Sequence, residues 1–294
     1  QGPGTAGAGV RWEVWLDRLG EVSEQLAREA QAALGPGYTV ERELGRGGMG
    51  IVLLARNLAL DRPVAVKVLR HEFVSQAELR ERFLREGRVA ASFSHPHIVP
   101  VHAVIERPET LGYVMGYIDG ETLSARVARE GPMLVSDAVR LLREVAWGLA
   151  YASGRGITHR DVKPDNILLE RATGRALLTD FGIARAEQEA GLSGVGQLVG
   201  TPHYMSPEQS AGEVVDGRSD IYALGAVAWF ALTGRPPFDA PTTPQILMLH
   251  MTQPVPSLAA QRPDLPQALV EIVERCLAKE PGARFPGGEA MVAA

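Results

Sequence analysis

The sequence predicts an α+β fold, with a small strand-rich lobe followed by a larger helical one. Three observations carry that reading. Between Tyr38 and Tyr117, short runs of β-branched and apolar residues alternate with turn residues. One charged helical segment, about Ser75 to Phe93, interrupts them. After Tyr117 the pattern turns mostly helical, with long loops near residues 155–185 and 186–215.

The elements follow in order. Residues 1–9 are Gly-rich and read as a boundary segment. Trp12, Trp15, Leu16, Leu19, Val22, Leu26, Ala30 and Ala33 then recur at three- and four-residue steps, with charged residues between them. That spacing predicts an amphipathic helix, stopped by Gly35-Pro36-Gly37. Its apolar stripe is expected to pack on the strand-rich lobe, a dimer or partner contact being the other reading. Strands are predicted at Tyr38-Thr39-Val40, Gly50 to Ala55, Val64 to Val68, around Val99-Pro100-Val101 and at Tyr113-Val114-Met115. The longest apolar run, about Ile221 to Leu232, is too short for the roughly 20 residues of a membrane span. It predicts a helix buried on all sides. The division expected is an extension over 1–37, the strand-rich lobe over 38–116 and the helical lobe over 117–294, its last helix cut short.

Composition narrows the function classes. A charged fraction of 22 % with a net charge of −5 gives no electrostatic reason for a nucleic-acid or anionic-membrane partner. The lone cysteine, Cys276, cannot form an internal disulfide and reads as a buried packing residue. A reducing, cytoplasmic setting is therefore expected. The first residues lack the charged and apolar regions of a signal peptide, and a membrane anchor beyond Ala294 is left open.

Residues with chemical potential fall into three groups. Gly45, Gly47 and Gly50, followed by Val52, form a G-x-G-x-x-G-x-V run. Glycines let a backbone approach phosphates and present its N–H groups. Because Val52 to Ala55 reads as a strand, these glycines close a hairpin instead of opening a helix. Lys67 ends the apolar run Val64-Ala65-Val66, and Glu86 lies on the charged helix. The two could pair, or Lys67 could be a solvated edge residue. The third group is the most specific. His159-Arg160-Asp161-Val162-Lys163-Pro164-Asp165-Asn166 is followed, after an apolar run, by Asp180-Phe181-Gly182. Phosphoryl transfer needs an acceptor beside the attacking hydroxyl, oxygen ligands for Mg²⁺ and a cation for the transferred group. Asp161 can supply the first, Asn166 and Asp180 the second, and Lys163 the third.

From Tyr38 onward the chain resembles the eukaryotic-type protein kinase family, most closely its bacterial serine/threonine branch. The resemblance rests on the motifs above and on Ser206-Pro207-Glu208, Asp220 in Ser219-Asp220-Ile221-Tyr222 and Arg284 in Ala283-Arg284-Phe285. It implies the two-lobed protein kinase fold, with a five-stranded antiparallel sheet lobe and a mainly helical lobe. It also implies ATP between the lobes and Mg²⁺, or Mn²⁺ in its place, as cofactors. By the same resemblance, Leu44, Gly45, Gly47 and Gly50 cover the nucleotide. Val52, Ala65 and Leu168 sandwich the adenine. Met115 guards the back of its pocket, and the backbone at Gly116 and Ile118 bonds its edge. Lys67, paired with Glu86, holds the α/β-phosphates. Asp161 takes the substrate proton, and Asn166 and Asp180 bind the metal. Arg284 pairs with Glu208.

Lys163 and Thr201, the latter implied to bridge Asp161 and Lys163, point to serine or threonine acceptors on protein substrates. Arg160 implies regulation by an activation-loop phosphate. The loop from Ile183 to Gly200 holds one hydroxyl, Ser193, which is either the autophosphorylation site or a plain solvated serine. Gly116 departs from the acidic residue common at that place. The motif residues argue against two rival functions. Intact Lys67, Asp161, Asn166 and Asp180 argue against a catalytically dead scaffold. The Gly200-Thr201 and Ser206-Pro207-Glu208 segment argues against a small-molecule phosphotransferase. His159 is expected to pack behind the catalytic loop with Phe181, and His95, His97 and His203 to have ordinary loop roles. The protein substrate, the activating signal and a possible dimer through the first lobe or the N-terminal helix are not legible.

Overall fold

The structure, a computed structural model, describes residues 25, 27–47, 50–69, 71–108, 110–181 and 201–294. The chain forms two compact units. One comprises residues up to Leu84 together with His102–Tyr117, and the other Arg85–Val101 and Ile118–Ala294.

The first unit is a five-stranded sheet in the order β1-β2-β3-β5-β4. The strands are β1 (Tyr38–Arg46), β2 (Gly50–Asn57), β3 (Arg62–Leu69), β4 (Val101–Glu106) and β5 (Leu111–Gly116). β1 pairs antiparallel with β2, β2 with β3, and β3 with β5. Directly opposite residues share a face. Val52 faces Lys67, Leu54 faces Ala65, Ala65 faces Met115 and Lys67 faces Tyr113, so these line one side. Ile51, Leu53, Ala55, Val64, Val66, Val68 and Val114 line the other, which is the unit's core. Residues 27–34 are helical (α1) and pack into that core through Ala27, Ala30, Ala33 and Leu34. Gly35 ends α1 in the left-handed region, at φ 71°, where glycine carries no Cβ penalty. Of the predicted stripe, Ala30 and Ala33 thus pack on the sheet. Trp12, Trp15, Leu16, Leu19, Val22 and Leu26 lie outside the described residues.

The charged segment forms α2 (His71–Val74) and α3 (Ala77–Ala91). One strand begins later than its sequence pattern predicts. Pro100 has no N–H to give a ladder. Residues 97–99 instead join the second unit, where the Leu178 N–H donates to His97 O and the Val99 N–H to Leu178 O, each at 2.9 Å. β4 starts only at Val101.

In the second unit, β6 (Gly120–Thr122), β7 (Ile167–Glu170) and β8 (Ala176–Leu178) form a small sheet. The helices are α4 (Leu123–Glu130), α5 (Val135–Ser153), α6 (Pro207–Ala211), α7 (Gly217–Thr233), α8 (Thr243–Thr252), α9 (Leu258–Gln261), α10 (Gln267–Cys276) and α11 (Gly288–Ala293). α7 carries the predicted apolar run and is buried from Ser219 to Trp229. Apolar side chains all round leave such a helix stable only inside a core. A Cβ on Gly225 would lie 2.6 Å from the Cys276 Cβ, so that glycine lets α7 and α10 touch. Cys276 is fully buried there. No helix among the described residues is long and apolar enough to cross a membrane.

Candidate active site

The second unit builds its polar centre on the loop between α5 and β7. The Asp220 carboxylate, in the first turn of α7, accepts the backbone N–H of His159 at 2.7 Å and of Arg160 at 2.8 Å. Arg160 sits at φ 63°, a conformation uncommon for a residue with a Cβ. Bonds on both sides hold it there. Its N–H goes to Asp220, and its carbonyl accepts the Gln209 Nε2–H at 3.0 Å. Burial pushes the Asp220 carboxyl up to about 7, against the two amides, which favour the carboxylate.

His159 is fully buried against Phe181, with ring centroids 4.4 Å apart. The Asp161 N–H lies 3.3 Å from its Nδ1 and the Thr179 carbonyl 3.1 Å from its Nε2. An amide N–H can only donate and a carbonyl can only accept. The pattern therefore selects the neutral ring with the proton on Nε2. With both nitrogens engaged, this histidine packs and orients, as its sequence context predicts.

Asp161 is half-buried, and two residues converge on it. Its Oδ2 lies 2.9 Å from Lys163 Nζ and accepts Asn166 Nδ2–H at 3.1 Å. The same Asn166 amide donates to the Asp161 carbonyl at 2.9 Å. A 3₁₀ turn, Pro164–Asn166, sets this geometry, closed by the Asn166 N–H on Lys163 O at 3.0 Å. With its amide hydrogens committed to Asp161, Asn166 keeps Oδ1 as an oxygen donor. The Thr179 N–H donates to the Asn166 carbonyl at 3.0 Å, tying this turn to Asp180. Asp180 also sits at positive φ, 55°. Two strained residues in one polar centre fit a site whose surroundings enforce its shape. No cluster of three His, Cys, Asp or Glu side chains suited to a metal occurs among the described residues. The oxygen donors here are one carboxylate and one amide, the hard ligand set of Mg²⁺.

The floor below is a buried ion pair. Arg284 donates from Nη1 and Nη2 to the two Glu208 oxygens at 2.7 and 2.8 Å, as predicted, and also to the carbonyls of Ala278, Arg218 and Lys279. Burial pushes the Glu208 carboxyl up, but Arg284 and the Ser219 hydroxyl outweigh it and hold it below its usual range. Ser206 and Gln209 form a reciprocal capping box at the start of α6.

In the first unit, Lys67 shares a sheet face with Val52, Ala65 and Met115. Its Nζ lies 5.7 Å from the Tyr113 ring centroid, within cation–π range. Among the described residues, a Cβ on Gly45 or Gly47 would meet nothing within 4 Å, whereas one on Gly50 would lie 2.3 Å from Val68 O. The described residues thus give a packing reason for glycine at 50 and none at 45 or 47. Leu44 is the extra residue of a bulge, between Glu43 opposite Leu53 and Gly45 opposite Val52.

The other predicted residues are placed as follows. Glu86 is half-buried on α3, and Gly116, Ile118 and Leu168 are half-buried. Thr201 precedes the 3₁₀ turn Pro202–Tyr204, and its hydroxyl makes no hydrogen bond among the described residues. Asp161 and Lys163 meet directly instead of through it. Ser193, Gly182 and Gly200 lie outside the described residues. Sequence reasoning missed Gln209 and gave Asp220 no role beyond its part in the family resemblance. The capping-box spacing Ser206-Pro207-Glu208-Gln209 was the available signal for the first. Nothing local marks Asp220 as a clamp on His159 and Arg160.

Comparison with known proteins agrees with this geometry. The family model described as "Protein kinase domain" matches residues 38–292. Serine/threonine-protein kinase PrkC of Bacillus subtilis is 37 % identical over 87 % of this chain and 39 % of its own length. PknJ of Mycobacterium tuberculosis is 42 % identical over 85 % of this chain and 43 % of its own. The chain thus spans about two fifths of the length of these curated relatives. A crystal structure of the M. tuberculosis PknI kinase domain, 36 % identical, matches 88 % of this chain and 94 % of its own with a TM-score of 0.69. The chain therefore belongs to the protein kinase domain family, and within it to the serine/threonine kinases.

Proposed function

We propose that this domain transfers the γ-phosphoryl group of ATP to serine or threonine hydroxyls of other proteins, in bacterial signalling, and phosphorylates its own activation loop. The observation that carries the reading is the convergence of Lys163 and Asn166 on the Asp161 carboxylate, at 2.9 and 3.1 Å. A carboxylate held this way can orient an incoming hydroxyl and accept its proton. Lys163 is then placed to balance charge on the group in transfer. Asn166 Oδ1 and the Asp180 carboxylate are the proposed ligands of Mg²⁺ or Mn²⁺, which neutralises phosphate charge when bound.

On the first unit, the open space at Gly45 and Gly47 supports a nucleotide flap whose backbone N–H groups meet phosphates. Lys67 is proposed to hold the α/β-phosphates, with Glu86 as its counter-charge. Leu44, Val52, Ala65, Met115 and Leu168 supply apolar surface for adenine, and the backbone of Gly116 and Ile118 its polar edge contacts. Thr201, with its hydroxyl uncommitted among the described residues, sits beside the acceptor site in this reading. Arg160 is the proposed partner of a phosphorylated Ser193. A family match that begins at Tyr38 supports residues 1–37 as an extension ahead of lobes 38–116 and 117–294. A cytoplasmic setting belongs to the same proposal.

The test is direct. The purified chain and its Asp161→Asn variant are incubated with ATP and Mg²⁺, and intact mass and phosphopeptides are followed. Mass gain in multiples of phosphate, on Ser or Thr and only in the unmutated chain, is the expected result. No gain on the chain or on added protein substrates, with ATP bound, would overturn it.

A further inference from the structure

The helix that precedes the family's match makes one contact that ordinary packing does not require. α1 buries small residues, Ala27, Ala30 and Ala33, against the sheet core, which lets its backbone come close to β1. From that distance the Gln31 side chain reaches the outer edge of the strand. Its Nε2–H donates to the Tyr38 carbonyl at 2.8 Å, and its Oε1 accepts the Val40 N–H at 2.8 Å. A longer contact, 3.4 Å, runs from Nε2 to the Gly35 carbonyl at the end of the helix.

Among the described residues β1 is the edge strand of its sheet, paired only with β2. Residues 38 and 40 turn one C=O and one N–H outward, the two groups that a further strand's peptide would occupy. The Gln31 primary amide offers one donor and one acceptor in the same plane. It therefore stands in for the N–H and C=O of one residue of a missing neighbour strand. The inner side of β1 needs such support, because its ladder to β2 shifts register twice, between Val40 and Arg42 and between Glu43 and Gly45. An edge strand with two bulges is locally bent and twisted. It leads straight into Gly45 and Gly47, where the Gly47 N–H bonds the Gly50 carbonyl at 2.9 Å.

We propose that Gln31 is a positioning residue for nucleotide binding: its side-chain amide anchors the root of β1 and thereby fixes how the glycine hairpin presents its backbone. The family match begins at Tyr38, so this brace lies ahead of the matched domain. The inference rests on the nucleotide reading of the hairpin given above.

The test uses the whole chain with Gln31→Met, which keeps the shape and removes both bonds, and Gln31→Glu, which keeps the acceptor for Val40 and loses the donor for Tyr38. Three quantities are read: amide exchange at Val40, Kd for ATP with Mg²⁺, and the split between KM for ATP and kcat. In Gln31→Met the Val40 amide is expected to lose protection. Kd and KM for ATP are expected to rise roughly 2–10-fold, the equivalent of one or two hydrogen bonds, while kcat at saturating ATP stays within about twofold. Gln31→Glu is expected to fall between Gln31→Met and the unmutated chain. Loss of Val40 protection with unchanged ATP binding would overturn the proposal and leave α1 a purely structural brace. Unchanged Val40 protection would remove the contact itself. Absence of phosphoryl transfer in the unmutated chain would count against the proposed reaction alone, since exchange and ATP binding are read without it.

Discussion

In the proposed reaction Asp161 acts with two neighbours that share one of its carboxylate oxygens, Lys163 and Asn166. Asp161→Asn keeps the size and removes the proton acceptor. It is expected to lower kcat by about 10²–10⁴, or roughly 3–5 kcal/mol of transition-state stabilisation, with ATP affinity little changed. Steady-state phosphorylation of a Ser/Thr peptide checks this, and unchanged turnover would remove Asp161 from its role. The hairpin glycines give a second contrast at this scale. In Gly50→Ala the new methyl meets Val68 O, so about 1–3 kcal/mol of folding stability is expected to be lost. In Gly47→Ala the methyl meets no described atom within 4 Å. Thermal stability should hold, while KM for ATP rises roughly tenfold through weakened phosphate contacts. Equal melting temperatures for the two variants would contradict the distinction.

Single elements owe their places to a few buried polar bonds. α6 is short, yet its second residue, Glu208, is buried and paired with Arg284. Glu208→Gln would leave the guanidinium buried without a counter-charge, at an expected cost of about 3–5 kcal/mol in urea denaturation. A loss below about 1 kcal/mol would mean that the carbonyls around Arg284 suffice alone. Gln209 in the same helix serves two purposes, closing the capping box and holding the Arg160 carbonyl. This pairing was partly legible. The motif Ser206-Pro207-Glu208 and the distant Arg284 could be matched by family resemblance, and the structure joins them. The reach of Gln209 to Arg160 depends on how α6 lies against the loop between α5 and β7, which no local pattern encodes.

Across the second unit, buried titratable groups set the response to acid. His250 is fully buried, with Nδ1 2.9 Å from the Tyr222 hydroxyl. Burial pushes its imidazole down to about 3, and the Lys279 charge adds to the effect. The folded chain thus refuses a proton that the unfolded chain accepts below about pH 6.5. The stability this group contributes is present above that pH and is lost as pH falls toward 3, by about 1.4 kcal/mol per unit. Asp220 acts in the opposite sense. Burial raises it to about 7, so its contribution is present below the ordinary carboxylate range and lost as pH rises toward 7. Comparing the unmutated chain with His250→Gln isolates the histidine, because Asp220 is common to both. Urea denaturation between pH 5.5 and 4.5 should show a loss in the unmutated chain that is steeper by about 1.4 kcal/mol per unit. Parallel slopes would mean that His250 is protonated in the folded state at these pH values.

The sequence by itself determined what is encoded in short spacings. The buried run of α7, the glycine stop at Gly35, the strand-rich and helical halves, and the motif residues around Asp161 and Asp180 could all be read from neighbours a few positions apart. Periodicity and turn chemistry act over that range. Only the tertiary structure decided the contacts between residues far apart in the chain. Asp220 grips the amides of His159 and Arg160, residues 97–99 leave β4 to pair with β8, and Gln31 closes the edge of β1. Each joins a donor and an acceptor that have no fixed separation along the sequence. What brings them together is the burial of surrounding apolar surface, which leaves every enclosed polar group in need of a partner.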